Sequence, residues 1–572
     1  MQTLRGLAIS PGIASGPLFF YQAHVLSADR RQVEDPLAEI SRLEAALAKA
    51  RSDLEAIQVK AVQDTGAKEA EIFSAHLLIL EDPDLLEGII REIKEQRHNI
   101  EYAWLQATEH YAGMLASLED EYLAARSADV RDVAQRVLRI LAGEEQMSQQ
   151  IERPSIIVAD ELTPSDTVTF DRSKVLGFCT AQGGPTSHVA ILAKALGIPA
   201  VTGLGAWLET LQNSTYVIVD GDLGVVTLEP DMATRESYRF RSEALQRKFE
   251  VAFAAARQPA VSVDGKRIEV VANLGSAVEA ASALEFGAEG VGLLRTEFLF
   301  LDRQDAPGED VQVEIYRSIL QTFGQQPVVI RTLDIGGDKP AHYLDMKPEM
   351  NPFLGVRGMR LALQHPGIFQ CQLRALLRAG VGYNLKIMFP MVSSLAEVRA
   401  VHLHLRQVRD ELEAASRDYA RQVEIGIMVE VPSAAVMADV IAPQVDFFSI
   451  GTNDLSQYTL ASDRTNPEVA SLADAFDPSV LRLVRLVSQA AHAHGRWVGL
   501  CGELAGDPLA TPVLLGLAVD ELSMNPRAIP YVKQAIRRFS LPQARAIAEQ
   551  ALQLPTAGEV RSYLENVQGR VP

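Results

Sequence analysis

The chain has 572 residues, of which 47% are hydrophobic and 22% charged, an ordinary globular composition at a length that predicts three or four domains. Its formal net charge of −20 argues against binding nucleic acid through the general surface, which takes a surplus of Lys and Arg, and suits a basic protein partner. No run approaches the ~20 apolar residues of a spanning helix, the opening MQTLRGLAISPGIASGPLFF is too rich in Gly and Pro for a secretory signal, and Cys179, Cys371 and Cys501 form no C-x-x-C pair. The expectation is a cytoplasmic protein with reduced thiols and no membrane insertion.

The first ~20 residues read as a short strand with turns. Asp35-Pro36 is a helix start, an oxygen acceptor at the N-cap followed by Pro at the first helical position. Ile40, Leu43, Leu47, Ala50, Leu54 and Ile57 then recur at three- and four-residue steps, one apolar stripe on a long helix. Further helical segments are predicted around Lys68–Leu80, Asp84–Gln96, Glu101–Leu118 and Ala128–Leu141, so this zone reads as a helical bundle inserted into another fold. From about Pro154 short β-rich runs (SIIVAD, KVLGFCT, TYVIVDG, GVVTLEP) alternate with helical segments in a compact α/β domain, which the N-terminal strand can join.

Within it lies AQGGPTSHVAILAKALGIPAV (181–201). Gly183 and Gly184 let backbone amides approach a phosphate closely. Thr186 and Ser187 add hydroxyls or an N-cap. His188 stands at a helix start, where the dipole favours an incoming anion, and a neutral imidazole is a good nucleophile near pH 7. Taken alone, the run fits a capped turn with a structural histidine as well.

A polar helical stretch from about Met232 to Ala256 suits an interdomain linker. Eight apolar runs then alternate with helical segments: 268–273, 290–295, 327–332, 386–391, 424–430, 446–451, 497–502 and 520–525. This pattern predicts a (β/α)8 barrel of the TIM type, with an open doubly wound sheet as the alternative. Barrel chemistry sits at the C-terminal strand ends. Here those ends carry Arg295, Arg331, Glu430, Asn453-Asp454 and Cys501, and the loops add Arg357 and Arg464. Any one of the charges fits a structural ion pair. Together, four arginines point to a compact anion bearing phosphate and carboxylate, and Glu430 and Asp454 are hard oxygen ligands suited to Mg2+. Lys339, in GGDK, adds charge there or sits in solvent. Cys501 can protonate a carbanion or enolate, or be a buried inert thiol.

The motifs GGPTSHVAILAKALGIPAV and DFFSIGTNDLSQYTLASDR resemble the two signatures of the phosphoenolpyruvate-utilising enzymes. The opening LRGLAISPGIASGPLF, the segment DEYLAARSADVRDVAQRVLR and the barrel extend the resemblance over essentially the whole chain to their Enzyme I branch, from bacterial phosphotransferase systems. The resemblance implies phosphoryl transfer from phosphoenolpyruvate to His188 and on to HPr, a small phosphocarrier protein. It implies that Arg295, Arg331, Asn453, Asp454 and Arg464 hold phosphoenolpyruvate, with Arg357 on the phosphate. Glu430 and Asp454 would bind Mg2+, and Cys501 would protonate the enolate of departing pyruvate. Thr167, in LTPSDT, would orient His188, supported by Gly183, Gly184, Thr186 and Ser187. The implied domains are 1–20 with 145–230 (phosphohistidine α/β), 21–144 (HPr-binding helices), 231–260 (linker helix) and 261–572 (phosphoenolpyruvate-binding barrel and homodimer contact).

Two residues depart from the family pattern. Val189 follows the histidine where Ser, Thr or Ala is usual, and Lys194 replaces a frequent Arg, keeping the charge without the bidentate fork. The expected consequence is altered loop energetics with activity retained. The family opening begins almost at Met1, so neither a preceding sensory domain nor fused HPr is expected. The competing readings are a nitrogen-branch carrier as acceptor, a protein that senses phosphoenolpyruvate and pyruvate without turnover, and a dikinase or synthase. The last needs a nucleotide-binding domain where this chain has helices without a Gly-rich phosphate loop.

Overall fold

The computed structural model describes the chain except residues 22–25, 65–70, 118–120, 144–150, 185–186, 188, 191, 194–196, 206–214, 302, 304, 338–342, 345, 348, 467 and 570–572, and except the side chains of 60–64, 71, 121–125, 167–169 and 172. It divides into two compact units, Met1–Gln246 and Arg247–Pro572.

The first unit holds strands β1 (Gln2–Arg5), β2 (Leu7–Ser10), β3 (Ile13–Phe20), β4 (Ser155–Ala159), β5 (Val175–Thr180), β6 (Ala200–Thr202), β7 (Tyr216–Asp220) and β8 (Val225–Leu228). They form one sheet in the order β1-β8-β7-β3-β4-β5-β6-β2. The N-terminal segment joins this sheet as three strands. β3 lies in its middle, antiparallel to β7 and parallel to β4. Ile156, Val158, Val201, Val217 and Val219 form one apolar face. Ile157, Phe178 and Ala200 form the other, packed with Val189, Ala190, Leu192 and Ala193 from the histidine segment.

Between β3 and β4 stand helices α1 (Pro36–Asp64), α2 (Glu71–Leu80), α3 (Pro83–Gln96), α4 (Ile100–Ala116) and α5 (Glu121–Ala142). Asp35 caps α1, its Oδ1 accepting the N–H groups of Leu37 and Ala38 at 3.0 and 3.2 Å. The α1 stripe buries Leu43, Ala50 and Leu54 against Phe73, Ile89, Ile93, Trp104 and Val137. Full burial of each large side chain is worth about 1.5–3 kcal/mol. A mostly exposed helix, Met232–Ala254, follows the sheet.

In the second unit eight parallel strands close a barrel: β10 (Arg267–Leu274), β11 (Val291–Leu294), β12 (Val328–Arg331), β13 (Leu385–Phe389), β14 (Glu424–Val429), β15 (Phe447–Ile450), β16 (Trp497–Leu500) and β17 (Glu521–Met524). Closure rests on β10, which pairs in parallel with both β11 and β17, so the open doubly wound sheet is ruled out. The short β9 (Ala260–Val261) pairs antiparallel with β10. Ile268, Val270, Ala272 and Leu274 belong to the large core that the surrounding helices share. Leu293, Val329, Met388, Met428, Phe447 and Cys501 form a separate apolar cluster. These strands read as continuous apolar runs because both of their faces are covered.

Candidate active site

The C-terminal strand ends gather an ionic network. Arg331, the last residue of β12, donates through Nη2 to Glu297 at 3.0 Å and lies 3.0 Å from Asp334 and 3.9 Å from Glu430 through Nη1. Arg357 grips Asp334 with Nε and Nη2, each at 3.1 Å, and Asp454 with Nη1 at 3.0 Å. All six side chains are buried. Burial opposes both guanidinium charges, but the surrounding carboxylates outweigh it and raise both pKa values. Burial, then Asp454 and Asp334, holds the Glu430 carboxyl well above the usual range, against the pull of Arg331 and Arg357.

Four buried carboxylates (Glu297, Asp334, Glu430, Asp454) therefore face two buried guanidiniums. With Glu430 ionised the excess is two negative charges, a state that a divalent cation would favour. Glu430 Oε2 accepts the Met391 N–H at 2.9 Å, while Oε1 accepts no hydrogen bond among the described residues. Among the described residues no group of three His, Cys, Asp or Glu is set for a metal. Glu430 and Asp454 are carboxylates of the kind that could hold a divalent cation with substrate and water completing its shell. Met391 adopts φ 54°, a strained conformation for this residue type, next to that carboxylate. Gly336, at φ 113°, lets its loop pass the Arg357 segment, where a Cβ would meet the Val356 carbonyl at 2.4 Å.

The remaining residues form the rim. Arg295 follows β11 and is exposed. Arg464 is partly exposed and reaches Asp454 Oδ2 at 3.4 Å. Asn453 is fixed by two hydrogen bonds to Glu503, donating at 3.2 Å and accepting its N–H at 2.9 Å. Cys501, just after β16, is buried, with Sγ 3.7 Å from the Ile450 carbonyl. Burial pushes its thiol up to about 12, so the thiol holds its proton at neutral pH. Lys339 lies outside the described residues.

In the first unit Gly183 takes φ 103°, where a Cβ would stand 3.2 Å from Ser187 Oγ. Ser187 N–H donates to the Gly184 carbonyl at 3.0 Å, and its Oγ accepts the Ala190 N–H at 3.4 Å, an N-cap. Val189 is a core residue, which accounts for a branched apolar side chain there. Thr186, His188 and Lys194 lie outside the described residues. Thr167 belongs to the helix Pro164–Thr169, but its side chain is likewise outside them. That helix opens with a Thr163/Asp166 capping box and is tied to α5, Arg136 donating to Ser165 Oγ at 2.9 Å and Asp132 accepting its N–H at 3.3 Å.

Glu297 and Asp334, which hold the buried arginines, escaped the sequence reading. Their signal was adjacency: Glu297 stands two residues after Arg295 and Asp334 three after Arg331.

Comparison with known proteins bears on both units. Residues 5–126, 151–224 and 251–541 match family models described as PEP-utilising enzyme, N-terminal; PEP-utilising enzyme, mobile domain; and PEP-utilising enzyme, PEP-binding domain. The chain is 45% identical over 573 residues to the phosphoenolpyruvate-protein phosphotransferase of Geobacillus stearothermophilus, covering 99% of this chain and 98% of the relative. It is 43% identical over 567 residues to the protein of the same name from Bacillus subtilis (strain 168), covering 99% of each. A solution NMR structure of an Enzyme I protein shares 39% identity over 42% of this chain and 99% of its own, with a TM-score of 0.37.

Proposed function

The chain belongs to the phosphoenolpyruvate-protein phosphotransferases, the Enzyme I branch of the phosphoenolpyruvate-utilising enzymes, and we propose that its phosphoryl carrier is His188. It takes the phosphoryl group of phosphoenolpyruvate and passes it to the phosphocarrier protein HPr, the first step of a sugar phosphotransferase system. The single observation that carries the site assignment is the ionic network at the barrel mouth. It pairs a buried excess of carboxylates with rim arginines and a protonated thiol.

In the first half-reaction Arg295, Arg331, Asn453, Asp454 and Arg464 orient phosphoenolpyruvate, with Arg357 on its phosphate. The imidazole of His188 attacks phosphorus in line, the bond to the enolate oxygen breaks, and a phosphorus–nitrogen bond forms. Cys501 gives its proton to the enolate carbon, leaving pyruvate. Glu430 and Asp454 would hold the divalent cation, Mg2+, which would supply charge neutralisation to the transferring phosphoryl group. In the second half-reaction a histidine of HPr takes the group from phospho-His188. The imidazole thus serves two partners in turn, in keeping with a family segment described as a mobile domain. Gly183, Gly184 and Ser187 shape the loop, and Thr186 and Thr167 orient the ring.

The proposed division of labour is residues 1–20 with 145–230 for the phosphohistidine, 21–144 for HPr docking, 231–260 as linker, and 261–572 for phosphoenolpyruvate and a homodimer contact. The working compartment is the cytoplasm. No helix among the described residues is long and apolar enough to cross a membrane.

Radiolabelled phosphoenolpyruvate with Mg2+ tests this. Acid-labile label on the wild type that chases to HPr, and none on His188→Ala, is the expected result. Label retained on His188→Ala would remove the assignment. Label that forms but chases only to a nitrogen-branch carrier would replace HPr as acceptor.

A further inference from the structure

The opposite mouth of the barrel, where the strands begin, holds a second cleft of ≈480 Å3, a size suited to a small molecule. Its lining is charged, although the strand-start face of such barrels ordinarily serves stability. The cations there are engaged. Lys386 pairs with Glu424 at 2.9 Å and caps the Trp497 ring at 4.3 Å. Arg267 pairs with Glu289 at 2.7 Å, Arg496 with Asp446 at 3.6 Å, and Asp520 takes His492 at 2.7 Å and Lys266 at 3.5 Å.

Two carboxyl groups are left over. Glu269 on β10 and Glu521 on β17 are register partners on adjacent parallel strands, so their side chains project to the same side. Neither makes a hydrogen bond or ion pair among the described residues, and both line the cleft. Glu521 is only 3% exposed. An unpartnered buried carboxylate is costly unless a positive group faces it.

We propose that this mouth is a second binding site, which takes a small primary ammonium ligand between Glu521 and Glu269. An ammonium carries three N–H donors, enough for both carboxylates. A divalent cation on the same two carboxylates is the competing occupant, and titration separates the two. Trp497 already carries Lys386 at 4.3 Å and stacks on Phe447 at 4.4 Å, so a flat cation would gain no stacking there. Burial, then Glu269, pushes the Glu521 carboxyl up to about 8, with Glu424 and Asp520 adding to it and Lys386 opposing. Amine binding near neutral pH therefore releases protons.

The full chain is titrated with 1,4-diaminobutane and n-butylammonium, reading calorimetric heat and tryptophan emission, with n-butanol as neutral control. Saturable binding of an amine but not the alcohol is expected, with proton release seen as a dependence of heat on buffer ionisation. Glu521→Gln and Glu269→Gln should each weaken it roughly tenfold or more, the loss of a charged hydrogen bond. Trp497→Phe should remove part of the emission change and leave the heat. Should Glu521→Gln fail to fold, the exposed Glu269→Gln carries the test. No saturable heat with either amine, or equal affinity in the variants, overturns the proposal. Mg2+ binding with the same dependence on Glu521 and Glu269, and displacing the amines, overturns it in favour of a metal site.

Discussion

Replacing Asp334 by Asn removes one charge from between two buried guanidiniums and leaves the shape almost unchanged. Asp334 stands 3.0 Å from Arg331 Nη1 and 3.1 Å from Arg357 Nη2. At an effective dielectric of ~20, each contact carries about 5 kcal/mol of attraction. Part of it is offset because the variant no longer desolvates a carboxylate. The net loss for breaking a buried pair is about 3–5 kcal/mol. Differential scanning calorimetry should show the barrel transition lowered by roughly 6–15 °C, taking about 2–3 °C per kcal/mol for a large domain. Glu297, Glu430 and Asp454 remain, but both arginines lose the one carboxylate they share, and the anionic groups of phosphoenolpyruvate can take its place. Saturating phosphoenolpyruvate with Mg2+ should therefore raise the midpoint more in the variant than in the wild type. A loss below about 1 kcal/mol, or equal substrate stabilisation in both proteins, would refute the view that Asp334 balances the arginines.

Cys501→Ala should lower turnover by about 10²-fold or more, the usual worth of a positioned acid, while phosphoenolpyruvate binding changes little. With phosphoenolpyruvate stereospecifically tritiated at C3, deuterium delivered to the methyl group of pyruvate in heavy water should lose its facial preference; a retained preference would place the donor elsewhere. Trp104 is fully buried, and its Nε1 donates to the Ala134 carbonyl at 3.1 Å, so Trp104→Ala should destabilise the bundle by about 3–5 kcal/mol, read by helical circular dichroism during melting. The Glu521 carboxyl is raised from 4.5 to about 8, so it favours the folded state below pH ~4.5 and loses that contribution as pH rises towards 8. Without an amine present, Glu521→Gln should flatten this decline, a difference of about 3–5 kcal/mol across the window, measured by denaturation at several pH values.

The barrel was legible because strands covered on both faces become unbroken apolar runs, and every run coincided with a strand to within a residue or two. The capped start of α1 was legible because an N-cap is a local signal. Partner choice inside the ionic network was not. Arg357 and Asp454 are 97 residues apart, and nothing local distinguishes a strand-end arginine that faces substrate from one held by Glu297. Glu521 escaped for the opposite reason. It opens a strand in an otherwise apolar run, and its isolation depends on how the other strand starts spend their charges. Val189 looked like a departure in a reactive loop, whereas in the fold it is a core residue behind that loop.

The central place of β3 imposes an order of assembly on a chain made from its N-terminus. Residues 13–20 need β4 on one side and β7 on the other, and β7 ends at Asp220. At about 5–20 residues per second, the ribosome takes roughly 10–40 s to supply that last neighbour. The five helices between have no such wait, since the apolar core they share is complete by residue 142 and only the ties of α5 to Ser165 come later. The bundle can therefore be a finished object while the first strand of the protein is still without its sheet. A chaperone or a nascent-chain protease would meet the N-terminal strands as the exposed part of an otherwise folded intermediate.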